Sequence, residues 1–250
     1  MKMRFSGTFV VCVFITSISL SAAPPEGYRL VWSDEFEGFA LDTAKWHYRT
    51  DSKLWSTQLP ANVGVADGNL VLTLKKEDAS GMHYTGGGII SKRTFQYGYY
   101  ECRFRIDAGE GWHSSFWLMR YDGAGGTGTK TAELELDVIE NDSIHPDSYS
   151  TTTHKWPPPH LALGHKEITT TPLSSYHVYG CEYTKEKVNY FLDDKLVQTV
   201  DIFGLPQGEL NIWLTSIAAN LGHTTEVDDG RLPGHVYYDY VRFYTKERRP

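Results

Sequence analysis

Apolar residues recur at every second position in many short segments of this chain, and this pattern restricts the possible folds more than any other feature. In YYECRFRI (residues 99–106), Tyr100, Cys102, Phe104 and Ile106 alternate with charged neighbours. Side chains point to opposite faces of a β-strand in turn, so such a segment predicts a strand with one buried face. The same pattern occurs in NLVLTLK, YHVYGCEY, KVNYFLDDKLVQTV, GELNIWLTSIA and GHVYYDYVRFY.

Turn signals separate these segments. Glycine and proline cluster at GGG (residues 86–88), GAGGTG (residues 123–128) and WPPPH (residues 156–160), and Asp193-Asp194 is a candidate hairpin tip. No segment carries an apolar stripe at helical spacing, and there is no linker, internal repeat or low-complexity tail. Short strands punctuated in this way predict one antiparallel β-sandwich.

The first residues have the layout of a secretory signal peptide: two basic residues, an apolar run, then small residues. We expect a signal peptide over residues 1–22 and a single domain over residues 23–250, outside the cytoplasm. Removing residues 1–22 takes away Lys2 and Arg4, so 24 − 2 = 22 basic residues face 31 acidic ones, a net charge of −9. An acidic chain without basic clusters is not expected to bind nucleic acid or a membrane surface.

Cysteine and histidine usage gives no sign of a metal centre. Cys12 leaves with the signal peptide, and Cys102 and Cys181 remain as either a disulfide or two small buried side chains. The ten histidines form neither an HExxH motif nor zinc-like Cys/His spacing. The glycine-rich run at residues 123–128 lacks the GKS or GKT ending of a phosphate loop, which favours a surface loop.

The segment ELELDVIEN (residues 133–141) concentrates carboxylates on one face of a predicted strand. Glu135 and Asp137 alternate with leucines, but Glu140 falls one position out of phase. A β-bulge at Val138-Ile139 would restore the phase and place Glu140 on the acidic face. Glu135 and Glu140 would then lie about 13 Å apart at Cα, close enough for leaning side chains to reach the roughly 5–5.5 Å of a retaining glycosidase.

Like charges at this range repel, so one outer carboxyl should hold its proton to a higher pH than a free glutamate, and Asp137 would sharpen the difference. Two carboxyls with separated pKa values supply a nucleophile and a general acid. The alternative interpretation is an acidic solvent-facing strand or a calcium site.

The motif Glu135-Leu136-Asp137-Val138-Ile139-Glu140 resembles the bulged ExDxxE signature of glycoside hydrolase family 16. The resemblance extends over nearly the whole predicted domain, in the order YRLVWSDEFEG, GGGIISKRTFQYGYYECRFRI, GWHSSFWLM, the signature, THKW, YHVYGCEYTKEKVNYFLDDKLV and YYDYVRFY. It implies a concanavalin A-like β-jelly-roll sandwich of two antiparallel sheets with a concave cleft. It also implies endo-acting hydrolysis of β-glycosidic bonds with retention, by a laminarinase-, agarase- or carrageenase-like enzyme.

The resemblance assigns Glu135 as nucleophile, Glu140 as acid/base and Asp137 as the residue that tunes them. It places His154 beside Glu140 or the sugar. Aromatic rings should line the cleft. The predicted substrate contacts are Trp117, His113 (at the first Trp of the family's WPAFW-like stretch), Trp112 and Trp156, with Trp55 as a further contact. Trp32 and Trp46 are expected in the core, and Trp213 fits either place.

Two departures from the family pattern leave the substrate open between β-glucan and β-galactan. TKTAELE stands where WPxxGE is frequent, and LTSIAANLG where NxAVGG is frequent. We expect a monomer that acts on a polysaccharide and requires no cofactor, with a structural calcium at Asp239 as an option carried over from some family members. A lectin-like binding protein and a transglycosylase using the same residues are the competing functions.

Overall fold

The structure is a computed structural model that describes residues 24–121, 123, 134–156 and 158–247. The predicted signal peptide, Glu133 and residues 124–128 of the glycine-rich run lie outside these ranges. The strands, in chain order, are β1 (Tyr28–Asp34), β2 (Trp46–Tyr48), β3 (Ser52–Lys53), β4 (Ser56–Gln58), β5 (Val63–Ala66), β6 (Asn69–Ala79), β7 (Met82–Ser91), β8 (Gly98–Asp107), β9 (Trp112–Met119), β10 (Leu134–Asp142), β11 (Ser148–Lys155), β12 (Leu161–Thr169), β13 (His177–Tyr183), β14 (Lys187–Leu192), β15 (Lys195–Asp201), β16 (Asn211–Ala218) and β17 (Gly234–Lys246).

The strands form two curved sheets. The first sheet has the order β5-β6-β17-β8-β13-β14-β15, with β1 beside the second half of β17. The second sheet has the order β2-β7-β16-β9-β10-β11-β12. The pairing of β6 with β7 joins the two sheets. These pairings are antiparallel, which confirms the predicted sandwich; β4 alone among the described strands runs parallel to its neighbour β7.

Helices are few and short in the described residues. Three 3₁₀ turns occur, at Pro60–Asn62, Leu221–His223 and Asp229–Arg231. None has the length and apolarity needed to cross a bilayer.

The core lies between the sheets and follows the alternation read from the sequence. Leu70, Leu72 and Leu74 on β6 are fully buried, and burying a leucine side chain stabilises the fold by about 1.5–3 kcal/mol. The Tyr238 hydroxyl donates a hydrogen bond across the core to the carbonyl oxygen of Ser115, 3.1 Å away. Trp46 is buried as predicted, and Trp32 is partly buried against the same core.

The two remaining cysteines lie on neighbouring strands but are not bridged. Cys102 on β8 and Cys181 on β13 are both free and fully buried. In the register of these strands, Cys102 is opposite Tyr179 and Cys181 is opposite Tyr100. The structure therefore favours the small buried side chain over the disulfide. The predicted tip at Asp193-Asp194 is confirmed, since both residues have positive φ between β14 and β15.

The glycine triplet was interpreted as a turn signal, and that interpretation is wrong. Gly86, Gly87 and Gly88 lie inside β7. A Cβ on Gly86 would come within 2.4 Å of the Ser216 carbonyl oxygen, and one on Gly88 within 2.9 Å of the Thr215 methyl group. Glycine is required here because β16 and its neighbours approach the β7 backbone too closely for a side chain.

Glu101, on β8, gives a test of stability against pH. It is fully buried, and burial raises its pKa to about 7 from 4.5, although Arg242 lies 3.8 Å away. The unfolded chain ionises Glu101 first, so the folded state loses stability as the pH rises from 4.5 to 7 and stays penalised above that. We expect Glu101→Gln to raise the free energy of unfolding by about 1–3 kcal/mol at pH 8 and by little at pH 4. Urea unfolding at both pH values measures this, and an unchanged or lower value at pH 8 contradicts it.

Candidate active site

The bulge predicted in β10 is present. Against β9, Asp137 is opposite Trp117 and Ile139 is opposite Phe116, so Val138 has no partner of its own. Against β11, the register also shifts between Asp137 and Glu140. The extra residue restores the alternation, so that Glu140 faces the same side as Glu135. Both glutamates are partly exposed, while Val138 and Ile139 are buried.

Each carboxyl has a neighbour from an adjacent strand or loop. The Trp156 indole N–H donates to Glu135 Oε2 at 2.5 Å. His154 Nε2 lies 3.2 Å from Asp137 Oδ2. His113 Nε2 lies 3.1 Å from Glu140 Oε1. The structure therefore brings together the three predicted acids and three of the predicted substrate contacts, with His154 beside Asp137 rather than Glu140.

Burial and mutual repulsion separate the pKa values of the three acids. Burial raises the pKa of Glu135 above its ordinary range; the Trp156 hydrogen bond opposes this rise and the charge of Glu140 adds to it. Burial, together with the charges of both glutamates, raises the pKa of Asp137 well above its ordinary range. Burial also acts on Glu140, but the hydrogen bond and charge of His113 outweigh it and lower the pKa.

The expected split between the outer carboxyls is thus present, with Glu135 as the member whose pKa is raised. The assigned acid, Glu140, is the one whose pKa is lowered, because His113 faces it directly. Two coupled groups titrate as a pair. In the roles that the family resemblance implies, a sugar bonded to Glu135 would remove the charge of that carboxyl and its repulsion of Glu140, which would suit Glu140 to act as a base in a second step.

Aromatic rings cover the open face of the second sheet beside Glu135. Trp117 stacks on Trp213 with ring centroids 4.5 Å apart, and Tyr121 meets the edge of Trp213 at 5.8 Å. Trp156 packs against the same group. We call Trp117, Tyr121, Trp156 and Trp213 the aromatic cluster. Trp156 also stacks on His160, with ring centroids 4.3 Å apart. Flat rings of this kind suit the C–H faces of sugars.

One predicted substrate contact is wrong. Trp112 is 1% exposed and packs in the core against Tyr84. Residues 112 and 113 point to opposite faces of β9, and the open face belongs to His113. Trp213 lies on the same side of the second sheet as Trp117, but it is 0% exposed, so it packs against the Trp117 ring and is not itself a sugar contact. Trp55 is partly buried against the core.

Several residues near the carboxyls were not found from the sequence. Lys53 on β3 acts electrostatically on all three acids. Asp142 accepts a hydrogen bond from His113, and Tyr121 and His160 extend the aromatic surface. Lys53, Tyr121 and His160 come from short strands or loops without a motif, so only the fold brings them to the site.

Asp239, the residue named for the calcium option, forms an ion pair through Oδ2 with Arg103 on the neighbouring strand. Within the described residues, no group of three or more His, Cys, Asp or Glu side chains is arranged to hold a metal ion.

The Trp156 hydrogen bond predicts a change in pH dependence. In the roles that the family resemblance implies, the working form has Glu135 ionised and Glu140 protonated. Because Glu135 holds its proton more tightly than Glu140, that form is a minor species, and the alkaline limb of kcat/KM should follow Glu135. Trp156→Phe removes the donor, so we expect this limb to move up by about one pH unit and the plateau below it to fall about tenfold. Trp117→Phe is the control, because it removes an indole hydrogen bond to Thr215 and none to Glu135. It should leave the alkaline limb in place. An unshifted limb in Trp156→Phe would contradict the role of the indole.

A β-sandwich whose open face presents two glutamates around a bulge, beside stacked aromatic rings, has the architecture of a glycoside hydrolase. The family model for the GH16 domain of β-porphyranases A–D matches residues 30–246, and the chain belongs to glycoside hydrolase family 16. By class it is an endo-β-glycosidase.

The chain is similar to a β-glucanase of Rhodothermus marinus, with 28% identity over 243 residues that cover 87% of this chain and 85% of the relative. It is 30% identical over 227 residues to β-porphyranase B of Phocaeicola plebeius, covering 70% of each. Among solved structures, it is similar to SCLam, a non-specific endo-β-1,3(4)-glucanase of family GH16. The TM-score is 0.78 and the identity 26%, over 90% of this chain and 94% of the other.

Proposed function

We propose that the protein is exported and cleaves internal β-1,3 or β-1,4 linkages of a polysaccharide of β-galactan or β-glucan type, with retention. The observation that carries this proposal is the bulge in β10, which turns Glu140 onto the open face already occupied by Glu135. Two glutamates that share a face and alter each other's ionisation suit a double displacement. Export rests on the layout of residues 1–22.

The two steps divide between the glutamates. Glu140 gives a proton to the glycosidic oxygen as the bond to the anomeric carbon breaks, and a carboxylate oxygen of Glu135 bonds to that carbon. The leaving chain then departs and water enters. Glu140 takes a proton from the water, which attacks the same carbon and releases Glu135. Asp137 lies between them on β10, and its raised pKa favours a neutral carboxyl that does not repel the nucleophile.

The relatives of the chain indicate two candidate substrate classes. A β-galactan is the first candidate, because the matching family model describes β-porphyranases and covers residues 30–246. A β-glucan is the second, because the R. marinus β-glucanase aligns with 87% of this chain. The aromatic cluster serves either sugar, since both present apolar C–H faces.

A polysaccharide panel tests the proposal. The purified protein is incubated with porphyran, agarose, carrageenan, keratan sulfate, laminarin and mixed-linkage glucan, and new reducing ends are measured. We expect one of these to be cut to oligosaccharides of several units, with proton NMR showing the β-anomer first. An α-anomer as first product would contradict retention.

The competing functions give different outcomes in the same experiment. Binding without any new reducing ends would indicate a lectin-like protein. Products longer than a supplied oligosaccharide would indicate transfer to sugar instead of water. Release of single sugars from chain ends would contradict the endo mode of cleavage.

A further inference from the structure

His113 joins Glu140 to a further carboxylate. Its Nδ1 lies 2.8 Å from Asp142 Oδ1, and its Nε2 lies 3.1 Å from Glu140 Oε1. Both ring nitrogens therefore face carboxylate oxygens, which suits an imidazolium that donates from both. The side chain of His113 is only 12% exposed, so its orientation is fixed by its partners and by packing.

The backbone fixes this arrangement. His113 on β9 is directly opposite Asp142 on β10, two residues beyond Glu140 on the same side of the strand. Gly222 closes the other side of Asp142: a Cβ built on it would lie 2.6 Å from the Asp142 Cβ. Gly222 also has a φ of 63°, which favours glycine. Asp142 is thus held between a strand and a loop.

Charged groups reach this pair from several elements. Burial opposes the charge on His113, but the hydrogen bonds that it donates to Asp142 and Glu140 outweigh burial and raise the pKa of His113 to about 9. On the Glu140 side, Lys53 from β3 adds positive charge, and His154 from β11 adds positive charge only when it is protonated, which burial opposes by lowering its pKa. Glu135 and Asp137 lie on β10 itself. On β16 the residue opposite His113 is the uncharged Ile217.

We propose that the Asp142–His113 pair positions the acid/base Glu140 and sets the acidic edge of the working pH range. His113 occupies Oε1 of Glu140, so the proton given to the glycosidic oxygen is carried on Oε2. This inference rests on the proposed function and adds a residue that acts through Glu140. His113 keeps both of its protons through both steps: the proton lost by Oε2 goes to the leaving oxygen, and water supplies its replacement.

The charge of His113 delays the protonation of Glu140 as the pH falls. At low pH both glutamates become protonated and Glu135 can no longer attack. Since Glu140 is the group protonated last, the acid limb of kcat/KM follows Glu140. His113 thereby extends activity toward lower pH.

The kinetic test uses His113→Gln, which keeps a hydrogen-bond donor but removes the charge. We expect the acid limb of kcat/KM, measured on the substrate that the panel identifies, to move up by about one pH unit. Asp142→Asn weakens the same charge and should move the limb in the same direction by less. His177→Gln is the matched control, because it removes a buried histidine of the first sheet that pairs with Asp193 at the tip between β14 and β15. A folded His113→Gln whose acid limb coincides with that of the wild type overturns the proposal.

A second measurement needs no substrate. In protein labelled with ¹³C at the glutamate carboxyls, the signal absent from Glu140→Gln identifies Glu140. Its titration midpoint should move up in His113→Gln and stay in place in His177→Gln. If no polysaccharide is cleaved but the midpoint moves, the proposed function fails while the pairing stands. If cleavage occurs and the midpoint does not move, only the role of His113 fails. Should His113→Gln not fold, the Asp142→Asn titration decides.

Discussion

Replacing Glu135 with Gln should abolish cleavage of the polysaccharide and leave the fold intact. Glutamine has nearly the same shape, but its amide cannot attack an anomeric carbon, so no glycosyl-enzyme forms. We expect kcat to fall by at least about 10³-fold. The amide oxygen of the new side chain can still accept the hydrogen bond that Trp156 donates to Glu135, and removing a charge from a crowded acidic site should not lower the melting temperature.

The control for this variant is Glu209→Gln, which changes an exposed glutamate that accepts a hydrogen bond from Thr94 and contacts none of the three acids. It should retain wild-type kcat. Turnover by Glu135→Gln within about tenfold of wild type, with a normal melting curve, would remove Glu135 from the mechanism.

Replacing Glu140 with Gln should have the second largest effect, and one that depends on the leaving group. Cleavage of polysaccharide needs a proton on the departing oxygen, so we expect kcat to fall by about 10²–10⁴-fold. In a dinitrophenyl glycoside of the same sugar, the dinitrophenolate is a good leaving group and departs without that proton. Its first step should be nearly normal, followed by slow hydrolysis that appears as a burst of dinitrophenol.

Added azide separates Glu140 from a merely structural residue. The smaller side chain of Glu140→Ala lets this anion replace water in the second step, and a β-glycosyl azide should form because the second step restores the original configuration. An equal loss of activity on both substrates, without a burst, would show that Glu140 is not the acid/base.

The central part of the site followed from the sequence because a strand has a strict period. Glu140 is out of phase with Glu135 and Asp137, and a buried unpaired carboxylate is costly. The sequence therefore predicts a β-bulge between Asp137 and Glu140, and the register of β10 against β9 confirms it. The alternation of β6, β8 and β17 predicted the core for the same reason. The family resemblance added the jelly-roll and the order of strands.

The alternation of side chains along β9 also explains why the prediction for Trp112 is wrong. His113, Ser115 and Trp117 share one face of β9, so placing Trp117 in the cleft already assigns Trp112 to the core. The aromatic character of Trp112 suggests a sugar contact, but its position on β9 decides for the core. By contrast, the contact of His113 with Asp142 depends on how β9 is aligned with β10. Strand register between distant segments leaves no signal in a single sequence.

The sequence alone also does not predict which of Glu135 and Glu140 has the higher pKa. Repulsion between the glutamates predicts that their values differ, but the sign of the difference depends on which one faces a cation. His113 lies against Glu140, and Trp156 offers Glu135 a neutral donor. Both partners come from other strands or loops.

The glycine triplet of β7 restricts how this cleft could be altered for a different sugar. Gly86 and Gly88 lie against the backbone and side chains of Ser216 and Thr215, on the strand that also carries Trp213. Even an alanine there would push that strand sideways and shift the sugar-binding platform with it. Libraries for engineering specificity would do better to spare these three positions and to vary the loop side chains around His160 and Tyr121.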